Sequence, residues 1–193
     1  MAERELSGRG EQTRELILAT AMAAFAESGY AAASLRDIAA RCTLTHPALI
    51  YHFPTKAALL MAVLERRDDR DGVEVDFHRL RGERLLRHLV DTASINATRR
   101  GIVELYATLS AEATTPSHPA HDFFVRRYAS LRATVERAYR DLALAGRLRD
   151  EIDPALAAQQ LVALMDGLQV QWLLDPAVDM AAAIDAHVAA QLA

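Results

Sequence analysis

Thr45-His46-Pro47-Ala48, followed by Tyr51, His52 and Lys56, gathers hydrogen-bonding and cationic side chains into one short stretch between two ordinary amphipathic segments. Thr45 and His46 can bond base edges or phosphates, Pro47 and Ala48 offer compact apolar contacts suited to a thymine methyl, and Tyr51 and His52 can donate to phosphate oxygens. Lys56 is the sole lysine among 22 basic residues. At the start of a helix, its ammonium and the free terminal amides could together hold one phosphate. The chemistry such a set could do is contact with a polynucleotide.

Making bonds would need a different constellation. The chain has no GxSxG, P-loop, GxGxxG or HExxH pattern, so no catalytic residue and no cofactor is expected. His118, His121 and Asp122 sit in SHPAHD, but two prolines mark an interhelical turn and no further ligand stands nearby, so no metal site is expected.

Contacts of this kind need elements that hold them rigidly. From Thr13, a candidate N-cap, Ile17, Ala21, Ala24 and Phe25 recur at helical spacing up to Ser28-Gly29. Ser34 and Asp37 have capping-box spacing and open a second, two-turn helix carrying Leu35, Ile38 and Ala39. Thr45 can cap a third helix, about 46–52, with Pro47 tolerated in its first turn. Phe53-Pro54 interrupts, and Thr55 can cap a fourth helix with Leu59, Leu60, Val63 and Leu64 inward and the charged ERRDDRD at its end. Two short helices joined by a tight turn against a longer one form a helix-turn-helix, whose second short helix enters the DNA major groove.

Here the sequence resembles the TetR family of transcriptional regulators. The resemblance is carried by Ser34-Leu35-Arg36-Asp37-Ile38-Ala39, by Leu44 to Lys56, and by Leu59-Leu60, within about residues 13–65. It implies that Thr45, His46, Pro47, Ala48 and Tyr51 contact an operator, that His52 and Lys56 contact phosphates, and that Ser34 and Arg36 complete the DNA-binding set. Two positions depart from the family pattern: Thr43 stands where glycine is frequent, and Ile50 where tyrosine is frequent.

Composition agrees with a helical, non-membrane chain. Hydrophobic residues make up 51% and aromatics 6% of 193 residues, with Ala and Leu dominant. Apolar runs such as ILATAMAAFA fall short of the roughly 20 residues of a membrane span, and the N-terminus is charged. The expected location is cytoplasmic, which suits the single Cys42. The net charge of −4 lies in the second part: residues 1–70 hold nine Arg/Lys against nine Asp/Glu, and the rest thirteen against seventeen.

The expected fold is all-α: a loose arm over 1–12, a three-helix helix-turn-helix domain with a connecting helix over 13–71, and a larger helical domain over 72–193. In the larger part, helical patterns cover about 84–99, 102–114, 120–145, 154–174 and 177–192, with Asp-Pro pairs at 153/154 and 175/176 opening the last two. The resemblance makes this part a ligand-binding and dimerisation domain, whose last two long helices form a four-helix bundle with those of a second copy. MDGLQVQWLLDP is similar to a stretch before the last helix of many members. Candidate ligand residues are Tyr106, Phe123, Phe124, Tyr128, Met165 and Trp172, which could equally be core. Candidate interface residues are Leu161, Leu164, Leu168, Trp172, Ala181, Ile184 and Val188, because the apolar face is wider than one buried stripe needs. The expected protein is a homodimeric repressor that binds palindromic double-stranded DNA and is released by a small-molecule effector. The alternative is a helical scaffold for protein partners, which a degraded recognition helix would favour.

Overall fold

The computed structural model describes the backbone of residues 2–74 and 79–193, and the side chains of residues 10–66 and 79–193. Among these residues the chain is helical: α1 (Ala2–Ala32), α2 (Leu35–Arg41), α3 (His46–His52), α4 (Lys56–Glu74), α5 (Gly82–Asn96), α6 (Arg100–Glu112), α7 (His121–Leu144), α8 (Pro154–Leu174) and α9 (Met180–Ala189). The only departure of β type among them is an isolated bridge between Leu148 and Leu192.

Several boundaries differ from expectation. The loose arm is helical backbone from Ala2 onward, its Ala, Glu and Arg content favouring helix over coil. α4 continues through the charged run to Glu74. The Asp175-Pro176 pair makes a turn instead of opening α9: Asp175 Oδ1 accepts from the Ala177 amide at 3.0 Å. Asp179 then caps α9 through the Ala182 amide at 2.9 Å. Asp153-Pro154 opens α8 as expected, with the Leu156 amide donating to Asp153 Oδ1 at 2.8 Å.

The chain divides into two compact units, one of residues 1–71 with 104–122 and one of residues 72–103 with 123–193. Residues 104–122, expected in the second domain, therefore pack with the first. In the first unit Ile17, Leu18, Phe25, Ile38, Leu49, Leu59, Leu60 and Leu64 are fully buried and fix α1 to α4 around one core. Arg66 of α4 also bonds Glu15 of α1 through Nε at 2.9 Å and through a terminal nitrogen at 2.5 Å.

The second unit has its own core of Leu85, Leu86, Leu89, Val135, Tyr139, Leu161, Trp172, Ile184 and neighbours from α5, α7, α8 and α9. Gly146, at φ 65°, ends α7 in the left-handed conformation, and the Arg147 amide closes back onto Leu142 O at 2.9 Å. The last residues are sewn to the same region. Ala193 N–H donates to Arg147 O at 3.0 Å, and the buried Tyr139 hydroxyl donates to Gln191 Oε1 at 2.5 Å. Burial without charge compensation raises the Tyr139 pKa well above the ordinary phenol value.

Candidate nucleic-acid interface

α2 and α3 are short because each is bounded by a cap and a break. Ser34 Oγ accepts from the Arg36 amide at 3.2 Å, one residue earlier than a capping box would place the bond. Thr45 Oγ1 accepts from the Ala48 amide at 3.3 Å, and Pro47 in the first turn has no amide to satisfy. Each hydroxyl oxygen is occupied as an acceptor, so each hydroxyl proton remains to donate outward.

The turn between them carries strain. Thr43 sits at φ 56°, the left-handed region that a β-branched side chain disfavours, at the position where the family pattern has glycine. Its hydroxyl donates to Cys42 O at 2.6 Å, and the Leu44 amide reaches Ala39 O at 2.9 Å, which together hold the turn closed.

On α3 the helical period separates anchor from contact surface. Leu49 is fully buried and Phe53, the C-cap, nearly so, with the Arg14 guanidinium 5.2 Å from the Phe53 ring centroid. Thr45, His46, Pro47 and Tyr51 are exposed, Ala48 and His52 partly so, and Arg36 faces solvent from α2. Tyr51 and His52 meet edge to face at 5.4 Å. The structure thus brings eight of the nine expected DNA-binding residues, Ser34 among them, to the outside of one helix-turn-helix.

Lys56 is the ninth, and it is placed differently. Its ammonium donates to Tyr30 O at 2.8 Å, Ala31 O at 3.1 Å and Ala33 O at 3.0 Å, and lies 4.5 Å from the Tyr30 ring centroid. All three N–H groups are committed to carbonyls at and just past the end of α1, a structural contact in place before any phosphate is met. Thr55 Oγ1, accepting from the Ala58 amide at 3.0 Å, caps α4 beside it.

Residues 17–63 match the family described as bacterial regulatory proteins, tetR family, and residues 81–193 match the BetI-type transcriptional repressor C-terminal domain. The chain belongs to the TetR family. HTH-type regulators similar to this TetR-family chain include the repressor Rv3405c of Mycobacterium tuberculosis, 47% identical over 55 residues, 28% of this chain and 29% of that one. YuxN of Bacillus subtilis is 35% identical over 60 residues, 31% of this chain and 21% of that one. The aligned segments therefore span less than a third of these relatives. Solved structures similar over nearly the whole TetR-family chain include two with a bound small molecule. SmeT with triclosan aligns at TM-score 0.73 and 27% identity, covering 94% of this chain and 92% of that one. A regulator of Saccharomonospora viridis with choline aligns at TM-score 0.72 and 26% identity, covering 94% and 98%. TetR-family members are DNA-binding transcriptional regulators and typically not enzymes. No single helix among the described residues is long and apolar enough to cross a membrane.

The candidate ligand residues are divided between the two units. Tyr106 belongs to the first unit and the others to the second. Phe124 packs against Phe123 at 5.3 Å and Tyr128 at 6.3 Å, and the Tyr128 hydroxyl bonds Asp166, one residue beyond Met165. Burial raises the Asp166 pKa above the ordinary carboxyl value, against the opposing pull of Tyr128 and Arg127. Trp172 instead lines an open cleft of about 420 Å³ with Ala93, Ser94 and residues 176–181, its ring 5.8 Å from the Arg100 guanidinium.

The expected interface residues all pack within their own chain. Leu161, Leu168, Trp172, Ile184 and Val188 lie inside the core of their own chain, and Leu164 and Ala181 are partly buried against it. Apolar residues recur on every side of α8, so sequence periodicity could not separate its inner face from its outer one. The outer face carries Leu156, Gln160, Ala163, Gly167, Val170 and Leu174, all exposed.

Proposed function

We propose that this TetR-family regulator is a homodimeric repressor whose two α3 helices read a palindromic operator and which a small-molecule effector releases. The observation that carries the reading is α3 itself, rigidly anchored through Leu49 while Thr45, His46, Pro47 and Tyr51 point to solvent. A partner-binding scaffold has no need of such a surface. Net acidity does not oppose the reading, since affinity follows the few phosphates neutralised locally.

The dimer face in this reading is the outer side of α8. Leu156, Gln160, Ala163, Gly167, Val170 and Leu174 recur at alternating four- and three-residue spacing, the pattern of a helix seam. A Cβ at Gly167 would meet nothing within 4 Å in its own chain, so the fold leaves room there for a partner helix. Ala182, Ala186 and Ala189 offer a similarly small surface on α9.

The effector reading rests on the Phe124–Tyr128–Asp166 group, where a half-buried carboxylate stands beside aromatic faces. That combination suits an organic cation, and one structural neighbour holds choline. Effector and operator binding must weaken each other by the same factor.

The test is fluorescence anisotropy of purified protein with DNA flanking its own gene, against scrambled DNA across a salt series. Specific, salt-sensitive binding of two subunits per site is the expected result. Equal affinity for both DNAs, followed by an empty genome-wide selection of bound fragments, would replace this reading with the scaffold.

A further inference from the structure

The bend at the end of α1 is held by a carboxylate from α6. Gly29 leaves helical geometry at φ 74°, ψ 171°, and the following Tyr30 amide donates to Glu112 Oε2 at 3.0 Å. Gly29 supplies the left-handed φ, and a Cβ there would displace the flexible end of Glu112 from its place beside the bend. The Tyr30 carbonyl, on the other side of the same residue, accepts from Lys56 at the start of α4.

His118 completes the cluster. Its ring stands edge-on to Tyr30 at 5.0 Å, and its side chain is 11% exposed. The Ala120 amide donates to Nδ1 at 3.2 Å, so in the neutral ring the proton sits on Nε2. Nε2 is buried with no hydrogen-bond partner among the described residues and lies 3.7 Å from Glu112 Oε2, the oxygen already engaged by Tyr30.

We propose that this cluster is a proton-operated latch on the operator-binding surface, in which proton uptake by His118 draws Glu112 off the Tyr30 amide and loosens the seat of Lys56. The proposal rests on the regulator reading and adds a second input to it, independent of any effector. A proton arriving at Nδ1 ends acceptance from Ala120 and leaves the ring with two N–H donors. Glu112 Oε2 is the acceptor facing Nε2, and closing from 3.7 Å to the ~2.8 Å of a charge-assisted bond moves that oxygen off Tyr30. Lys56 depends on the carbonyls of Tyr30, Ala31 and Ala33, and α4 follows α3 after three residues. The recognition helix therefore loses its downstream anchor.

The groups facing this histidine are Glu112 from α6 and Tyr30 from α1 with the Lys56 ammonium on its ring; His121 at the start of α7 joins it through the backbone, and its Nδ1–H donates to Ala113 O at 2.8 Å. Burial lowers the His118 pKa below the ordinary 6.5, with Glu112 partly opposing, so the latch is closed at neutral pH and opens on acidification below that value.

The test uses the full chain with ¹⁵N labelling, following the Tyr30 and Ala120 amides from about pH 8 to about pH 5, on either side of the ordinary histidine value. In parallel, operator affinity is measured for the unaltered protein, His118→Gln and Glu112→Gln. Both amides should shift together in the unaltered protein, neither in His118→Gln, and Ala120 alone in Glu112→Gln. Acidification should weaken operator binding about threefold to tenfold more per pH unit for each subunit bound in the unaltered protein than in His118→Gln, tenfold being the limit for one proton and each subunit of the dimer supplying one. His46 and His52 on the DNA face are common to both proteins and cancel in that comparison. Identical pH profiles, or a Tyr30 amide that does not titrate, would overturn the latch while leaving operator binding intact. Absence of specific DNA binding at neutral pH would instead remove the regulator reading, and the Tyr30 titration alone would then decide whether the proton moves Glu112.

Discussion

Leu49 is fully buried while Tyr51, two residues along the same helix, is 86% exposed. Two positions apart on a helix point to different sides, and the structure uses this to make one an anchor and the other a probe. Tyr51→Ala should therefore weaken operator binding by ~1–3 kcal/mol and leave the urea midpoint unchanged. Anisotropy and equilibrium unfolding on the same preparation check both halves.

Lys56→Ala separates a phosphate contact from a structural clamp. With the ammonium on the carbonyls of Tyr30, Ala31 and Ala33, the variant should lose ~2 kcal/mol of stability, the scale of hydrogen bonds to a charged group. Its salt slope of operator binding should stay the same. A slope reduced by about one, with stability intact, would return Lys56 to the phosphate backbone.

Thr43→Gly should stabilise the protein. Left-handed backbone costs a β-branched residue ~1–2 kcal/mol, and the greater freedom of glycine in the unfolded chain offsets part of that. A net gain of ~0.5–1 kcal/mol in a urea titration is expected; a loss would mean that the Thr43 hydroxyl bond to Cys42 O outweighs the strain.

Val170→Asp and Trp172→Asp should behave oppositely. Val170 is 49% exposed on the outer face of α8, so a carboxylate there should yield folded monomers in sedimentation. Trp172 is a core residue, and the same change should reduce helicity and the thermal midpoint. A Val170→Asp variant that sediments unchanged would move the dimer face elsewhere.

Asp166 lies in an environment that opposes its charge. Because its folded pKa is raised, stability from this group is fully present below the ordinary carboxyl value and is lost as pH rises through the folded value. At neutral pH the carboxylate is a net cost. Asp166→Asn should raise the thermal midpoint at pH 7 by ~1–3 °C while removing the response to choline as a probe cation. A midpoint that falls would show that the Tyr128 bond to the charged form dominates.

Local signals were readable in the sequence where the partners are local. Thr45 with Ala48, Thr55 with Ala58 and Asp153 with Leu156 are caps three residues long, and α3 and α8 take their starts from them. The clamp made by Lys56 was not readable because its partners lie 23 to 26 residues away, and the fold alone brings them together. The bond from Tyr30 to Glu112 spans 82 residues, and nothing in either neighbourhood announces it. The inner and outer faces of α8 could not be separated because apolar side chains occur on both.

The seat of Lys56 gives this chain a chemical handle. It is the only lysine side chain in the sequence, and its amine is held against three carbonyls. An acylating reagent therefore has one side-chain amine to find, and its rate of modification measures how often that amine leaves α1. Mass spectrometry of a single peptide then reads the opening of the DNA-binding unit directly, with no dye, no mutation and no knowledge of the effector.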